Sequence, residues 1–172
     1  PDSAIALLNT LKESMKAESE ATRMYYRLLC IKANDKAYIR HTSDSLILPV
    51  LHYYTEKKDE HHLPEAYYYA GRVYRDLEDA PLALDYFQKA IDALPDNKGY
   101  RLKSKIYSQM GTLFLYQKTY DEALKILKEA RKCNIALKDS ASMVFNLRDI
   151  ANGYRCLDQN DSSLYYLSLI HI

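Results

Sequence analysis

The sequence predicts an all-α protein, a right-handed solenoid of antiparallel helical hairpins with about nine helices. Three observations lead there. Four glycines and five prolines in 172 residues leave too little turn chemistry for a many-stranded sheet, and the abundant Ala, Leu, Lys and Glu favour helix. Glycines at 71 and 111 open matching stretches, Ala70-Gly71-Arg72-Val73-Tyr74 and Met110-Gly111-Thr112-Leu113-Phe114, 40 residues apart. Ile150-Ala151-Asn152-Gly153-Tyr154 continues at the same spacing, with Ala151 in the glycine's place and Gly153 two residues out of register, a decoy. Finally, large and small residues alternate on one stripe: Tyr67, Tyr107, Leu147; then Ala70, Met110, Ile150; then the small residue; then Tyr74, Phe114, Tyr154. Steps of three, one and three share a helical face. A second helix follows each time, with Ala83, Ala123, Ser163, then Phe87, Leu127, Leu167, then Ala90, Ala130, Ile170. Two helices approach closely only where one offers Gly or Ala to the other's large side chain.

The elements follow in order along one domain, residues 1–172. Asp2-Ser3-Ala4-Ile5-Ala6-Leu7-Leu8 parallels Asp121-Glu122-Ala123-Leu124-Lys125-Ile126-Leu127, so residues 1–15 read as the second helix of a hairpin that lacks its first. Pro1 and Asp2 suit a first helical turn. Residues 16–60 read as an irregular hairpin, with helices over Ala17–Ala33 and Ser43–Thr55, Ser43 or Asp44 as cap, and a kink at Pro49, which forbids a backbone bond. Three hairpins follow over 62–96, 99–138 and 140–172, the last degenerate and truncated. Ser168-Leu169-Ile170-His171-Ile172 is apolar, where a terminal repeat normally turns a polar face to water. The expectation is a segment of a longer protein, or an end covered by another chain.

The pattern Tyr67, Ala70-Gly71, Tyr74, Ala83, Phe87, Ala90, Pro95 resembles the tetratricopeptide repeat, with Ala70 in place of the family's leucine. Tyr107, Met110-Gly111, Phe114, Ala123, Leu127 and Ala130 match again without the late proline, and Leu147, Ala151, Tyr154, Ser163 and Leu167 form a degenerate third unit. The 40-residue spacing exceeds the family's usual period of about 34. Six extra residues fit as added helical turn plus loop, at Lys98–Ser104 and Asn134–Ser140. This resembles a long-helix subclass found in bacterial envelope and regulatory proteins.

Lysines and arginines number 24 against 23 acids, interleaved, so no basic block argues for nucleic acid. The longest apolar run, Leu46–Leu51, is far short of the roughly 20 residues that cross a bilayer, so this segment is not expected to insert. Cys30, Cys133 and Cys156 fit neither a disulfide framework nor a zinc site, and they leave the compartment open. No phosphate loop, nucleophile elbow or metal-spaced histidine pair occurs, so the sequence predicts a module with no enzymatic activity, metal or cofactor. The run Lys57-Lys58-Asp59-Glu60-His61-His62 reads as a solvated connecting loop, because adjacent histidines point different ways.

Seventeen tyrosines with no tryptophan arrive in clusters, and in Tyr67-Tyr68-Tyr69 the first falls on the core stripe, which turns Tyr68 towards the neighbouring face, there to pack between hairpins or, as the second reading, to form a recognition surface. The resemblance implies that first helices line a groove that grips peptides. Its positions here are Glu65, Tyr68, Arg72, Arg75 and Asp76; Lys105, Ser108, Thr112 and Tyr116; and Arg148, Asn152 and Arg155. Five are basic and two acidic, which implies a protein or peptide partner with an acidic segment or a carboxylate. Pairing within a helix, as between Arg72 and Asp76, is the competing role for these arginines. The family's Lys and Asn carboxylate clamp is absent, since Tyr68 and Arg72 stand in its place. Two other readings stay open: homodimerisation through an uncapped end, and an RNA-reading helical repeat.

Overall fold

The computed structural model describes residues 2–95 and 99–171, and among these all regular structure is helical. The chain divides into two compact units, Pro1–Ala93 and Leu94–Ile172. Unit 1 holds α1 (Asp2–Leu11), a 3-10 turn at Ser14–Ala17, α2 (Glu20–Lys36), α3 (Ile47–Glu56), α4 (Leu63–Asp76) and α5 (Ala80–Asp92). Unit 2 holds α6 (Tyr100–Tyr116), α7 (Tyr120–Leu137), α8 (Ser140–Cys156), α9 (Asn160–Ser168) and a closing 3-10 turn at Leu169–His171.

Local chemistry sets the helix ends. The Ser19 hydroxyl accepts from the Thr22 amide at 3.2 Å, Asp79 from Leu82 at 3.0 Å and Asp139 from Ser142 at 3.0 Å, satisfying amides that a helix start leaves without partners. Pro64 and Pro81 occupy first-turn positions, where no amide is needed. The far ends share another device. Tyr38, Lys58, Glu78, Lys118, Lys138 and Asp158 all adopt positive φ, between 51° and 66°, and they fall twenty residues apart or a multiple of that. A left-handed residue ends a helix by turning the chain away from the axis. The 40-residue repeat is therefore two beats of a 20-residue one.

The first hairpin differs from the sequence expectation. Its helices run Glu20–Lys36 and Ile47–Glu56, each starting three to four residues late, because Ser19 is the cap of α2 and neither Ser43 nor Asp44 caps α3. Ser43 instead accepts from the Ser45 amide, and Asp44 accepts from the Tyr74 hydroxyl at 2.9 Å. Pro49 is the third residue of α3, inside the first turn, so its missing N–H breaks no helical bond and no kink is required. The opening helix stops at Leu11 rather than running to 15.

In unit 1 the α4–α5 hairpin closes where Gly71 meets Phe87: a Cβ on Gly71 would overlap the ring. Phe87, Ala83 and Ala90 are fully buried, and Tyr74 stacks on Tyr86 with centroids 5.3 Å apart. In unit 2 Gly111 plays the same part against Leu127, 2.5 Å from where its Cβ would stand. Tyr154 stacks on Tyr166 at 5.4 Å, eighty residues on from the Tyr74–Tyr86 pair. Gly153 is no decoy: its missing Cβ leaves room for Leu124 of α7, which would otherwise lie at 2.9 Å.

The long repeat has a polar fastening. Lys98 lies outside the described residues, but Ser104, from the first expected insertion, sits buried inside α6 and donates its hydroxyl proton to the Asn134 side chain, buried near the end of α7. Both insertions therefore lengthen helices, and they touch each other.

Candidate functional site

The first-helix positions form two separate settings. In unit 1, α4 packs beside α2 and is joined to it by charge. Arg72 reaches Asp35 at 2.5 Å with both side chains largely buried, and its guanidinium also donates to the Tyr68 hydroxyl at 3.1 Å. Glu65 receives Lys32 at 2.7 Å. Asp76 is enclosed more fully: Arg75 donates to it at 2.6 Å, and the His41 amide and ring nitrogen contact it at 3.1 and 2.8 Å. Burial alone would raise the Asp76 pKa, but the donors from Arg75 and His41 outweigh it and hold the carboxyl below its ordinary range.

Two expectations are corrected here. Arg72 pairs with Asp35 across helices, not with Asp76 one turn on, because α2 brings a carboxylate to the face where the arginine points. Tyr68 is 4% exposed, packed edge-on to Tyr69 at 5.0 Å, whereas Tyr67 is the half-buried member, against Tyr86 at 6.2 Å. The reason is that α4 is covered on more than one side, so its buried sector is wider than the stripe facing α5.

The histidine run is not simply solvated. Asp59 accepts from the His61 and His62 amides at 3.0 Å each, and the His62 ring stacks on Tyr54 at 5.1 Å with Tyr25 edge-on at 5.6 Å. Among the described residues no group of three His, Cys, Asp or Glu side chains could hold a metal ion, and no helix is long and apolar enough to cross a membrane.

In unit 2 the corresponding side chains are exposed or half-buried. Tyr116 is 81% exposed, Lys105 is exposed, and Thr112 returns its hydroxyl to the Ser108 carbonyl at 2.9 Å. On α8, Arg148 leans on its neighbour Asp149 at 2.8 Å with 61% of its side chain exposed, its guanidinium 5.5 Å from the Phe145 ring centre. Arg155 donates to Asn152 at 2.7 Å. Arg148, Asn152 and Arg155 line one hollow of about 420 Å³ with Asp149, Ala151, Ser163 and Leu167. Ser163 donates to the Ala151 carbonyl at 2.9 Å, which fixes the floor. Asp149, adjacent to the expected positions, is the member sequence reasoning missed.

Residues 64–97 match the tetratricopeptide repeat model, over the hairpin in which Gly71 receives Phe87. The chain carries a tetratricopeptide repeat there, and the described residues have the fold of a helical-repeat solenoid. Solved structures share the fold of the chain. The putative kinesin light chain of Podosopora anserina with nearly identical TPR-like repeats is 13% identical, with a TM-score of 0.73 over 99% of this chain and 85% of that one. BtubC (BKLC) from P. vanneervenii is 14% identical, with a TM-score of 0.69 over 98% and 72%. MamA is 16% identical, with a TM-score of 0.68 over 94% and 82%. No curated protein matches the sequence significantly.

Proposed function

We propose that this chain is a non-catalytic protein- or peptide-binding module that takes an acidic segment or a carboxylate on the solvent-facing side of its unit 2 first helices. One observation carries the reading: Arg148 and Arg155 border a single hollow and, among the described residues, their hydrogen-bond and ion-pair partners lie on their own helix, so a ligand carboxylate can compete for them. The first-helix arginines of unit 1, Arg72 and Arg75, are already engaged with Asp35 and Asp76. The wider setting we propose is a larger bacterial regulatory or envelope protein, on the resemblance alone.

The test is fluorescence anisotropy of a labelled glutamate-rich peptide with a free C-terminus against the chain and its Arg148→Glu, Arg155→Glu double variant. We expect saturable binding weakened about tenfold or more by the two substitutions. Equal affinity in both proteins rules the reading out. A second reading, self-association, has support in α9, where Leu164 and Tyr165 are 65% and 58% exposed. Concentration-dependent dimers in light scattering, lost on Leu164→Lys, would favour it.

A further inference from the structure

The later hairpins share a filling that the α2–α3 hairpin lacks. Tyr74 stacks on Tyr86 and Tyr154 on Tyr166, at 5.3 and 5.4 Å, and Phe114 and Ile126 hold the same two positions in the hairpin between. Forty residues before Tyr74 and Tyr86 stand Asn34 and Leu46, a carboxamide and an aliphatic chain where two rings are otherwise found. The register is sound, because Ile47, forty residues before Phe87, is buried as completely as that ring.

The missing rings leave a space. A cavity of about 250 Å³ in unit 1 is bounded by Asn34 and Leu46 themselves, with Ile5 and Leu8 of α1 and Ala33 of α2 as apolar walls. The Cys30 thiol, pushed up by burial and so kept neutral, extends that lining. This side of α1 is turned to the helices that follow it. Ile5 and Asn9 have the register of Leu124 and Lys128 in α7, and those two reach the next helix, α8, at Gly153 and over the Tyr154 ring at 5.2 Å. The cavity is thus a gap between α1 and its successors, at the place Tyr154 fills in unit 2, and it is due to the residues at 34 and 46.

Its other end is cationic. Lys12 and the half-buried Arg27 line the cavity, and among the described residues neither side chain has a hydrogen-bond or ion-pair partner. Lys32, Arg40, Arg72 and Arg75 of the same unit are all paired with carboxylates. Arg27 stands seven residues before Asn34 on α2, a separation of about 10 Å along the helix. We infer that this cavity binds a small aryl-alkyl carboxylate, its ring in the place of the absent aromatic pair beside Asn34 and Leu46 and its carboxylate on Arg27 and Lys12. A carboxylate borne directly on the ring cannot reach both ends, whereas a tether of a few carbons can.

The probe is 4-phenylbutyrate, titrated into the isotope-labelled chain. Saturable binding is expected, with amide shifts at Asn9, Arg27, Cys30 and Leu46. Arg27→Gln should weaken it about tenfold or more, and 4-phenylbutan-1-ol and benzoate, each lacking one part of the match, should bind at least about tenfold more weakly than the probe. The double variant Asn34→Tyr, Leu46→Tyr supplies the rings of the other hairpins and should abolish binding. If circular dichroism shows that it does not fold, Leu46→Tyr alone serves in its place, since Leu46 is 41% exposed. Absence of saturation, shifts at other residues, equal affinity for the alcohol, or undiminished binding by the filled variant overturns the inference.

Discussion

In unit 1 Arg72 closes on Asp35, with 15% and 7% of the two side chains exposed, and α4 is bound to α2 by that contact; in unit 2 Arg148 leans on Asp149 with most of its side chain in water. Both arginines stand on a first helix, Arg72 one residue after Gly71 and Arg148 three before Ala151. What differs is whether a neighbouring helix delivers a carboxylate. A buried pair is costly to break, because the survivor is left charged without water, whereas an exposed pair contributes little. The same residue type is thus buried in a cross-helix pair in one unit and solvent-facing in the other.

The largest expected effect comes from removing one half of the buried pair. Asp35→Ala strands the Arg72 guanidinium and should cost about 3–5 kcal/mol, read as a lower denaturant midpoint. A loss as small as that of an exposed pair would erase the contrast between the units. Next come Gly71→Leu and Gly111→Leu, which drive a side chain into Phe87 and Leu127 and should each cost about 1–3 kcal/mol in thermal melts, in both units alike.

A pH scan separates the units by a different route. Burial raises Tyr74 to about 12, aided by its hydrogen bond to the Asp44 carboxylate, and burial raises Tyr54 to about 12, aided by the charge of Asp59. Tyr69, buried beside Tyr68 and Glu65, is pushed higher still. A folded state that holds phenols protonated has its full stability below their unfolded pKa near 10 and loses it as pH rises through about 12. Calorimetry should show the melting temperature falling over that range, less steeply in Tyr74→Phe. The smallest effect is Arg148→Ala, within about 0.5 kcal/mol of the parent by the same melts; a larger loss would show that the arginine supports the fold.

The hairpins and their order were legible because glycine and alanine must stand where Phe87 and Leu127 press, and that steric demand repeats at 40 residues. The half-period was legible too, in Asp59, Asp79 and Asp139 at multiples of twenty, but reading it required knowing that lysines and a glutamate adopt left-handed φ, which composition does not announce. For Tyr68 packing and recognition both stayed open, because a one-face pattern cannot register the second helix that buries it. Asp35 lies 37 residues before Arg72, in a helix outside the clear repeats, so no local spacing points to their pairing. The hollow on α8 could be anticipated as a set of polar positions but not as a cavity, since its floor is Ser163 from the next helix.

The evenly spaced left-handed stops also govern how such a chain can evolve in length. One residue inserted within a helix rotates all that follows by about 100°, and turns as tight as Leu77–Asp79 or Gln117–Thr119, each pinned by a positive-φ residue, hold no slack to absorb it. Tolerated length changes are then quantised in whole hairpins, added or lost as units, while single-residue drift finds room in a longer connection such as 39–46, between the Tyr38 stop and α3.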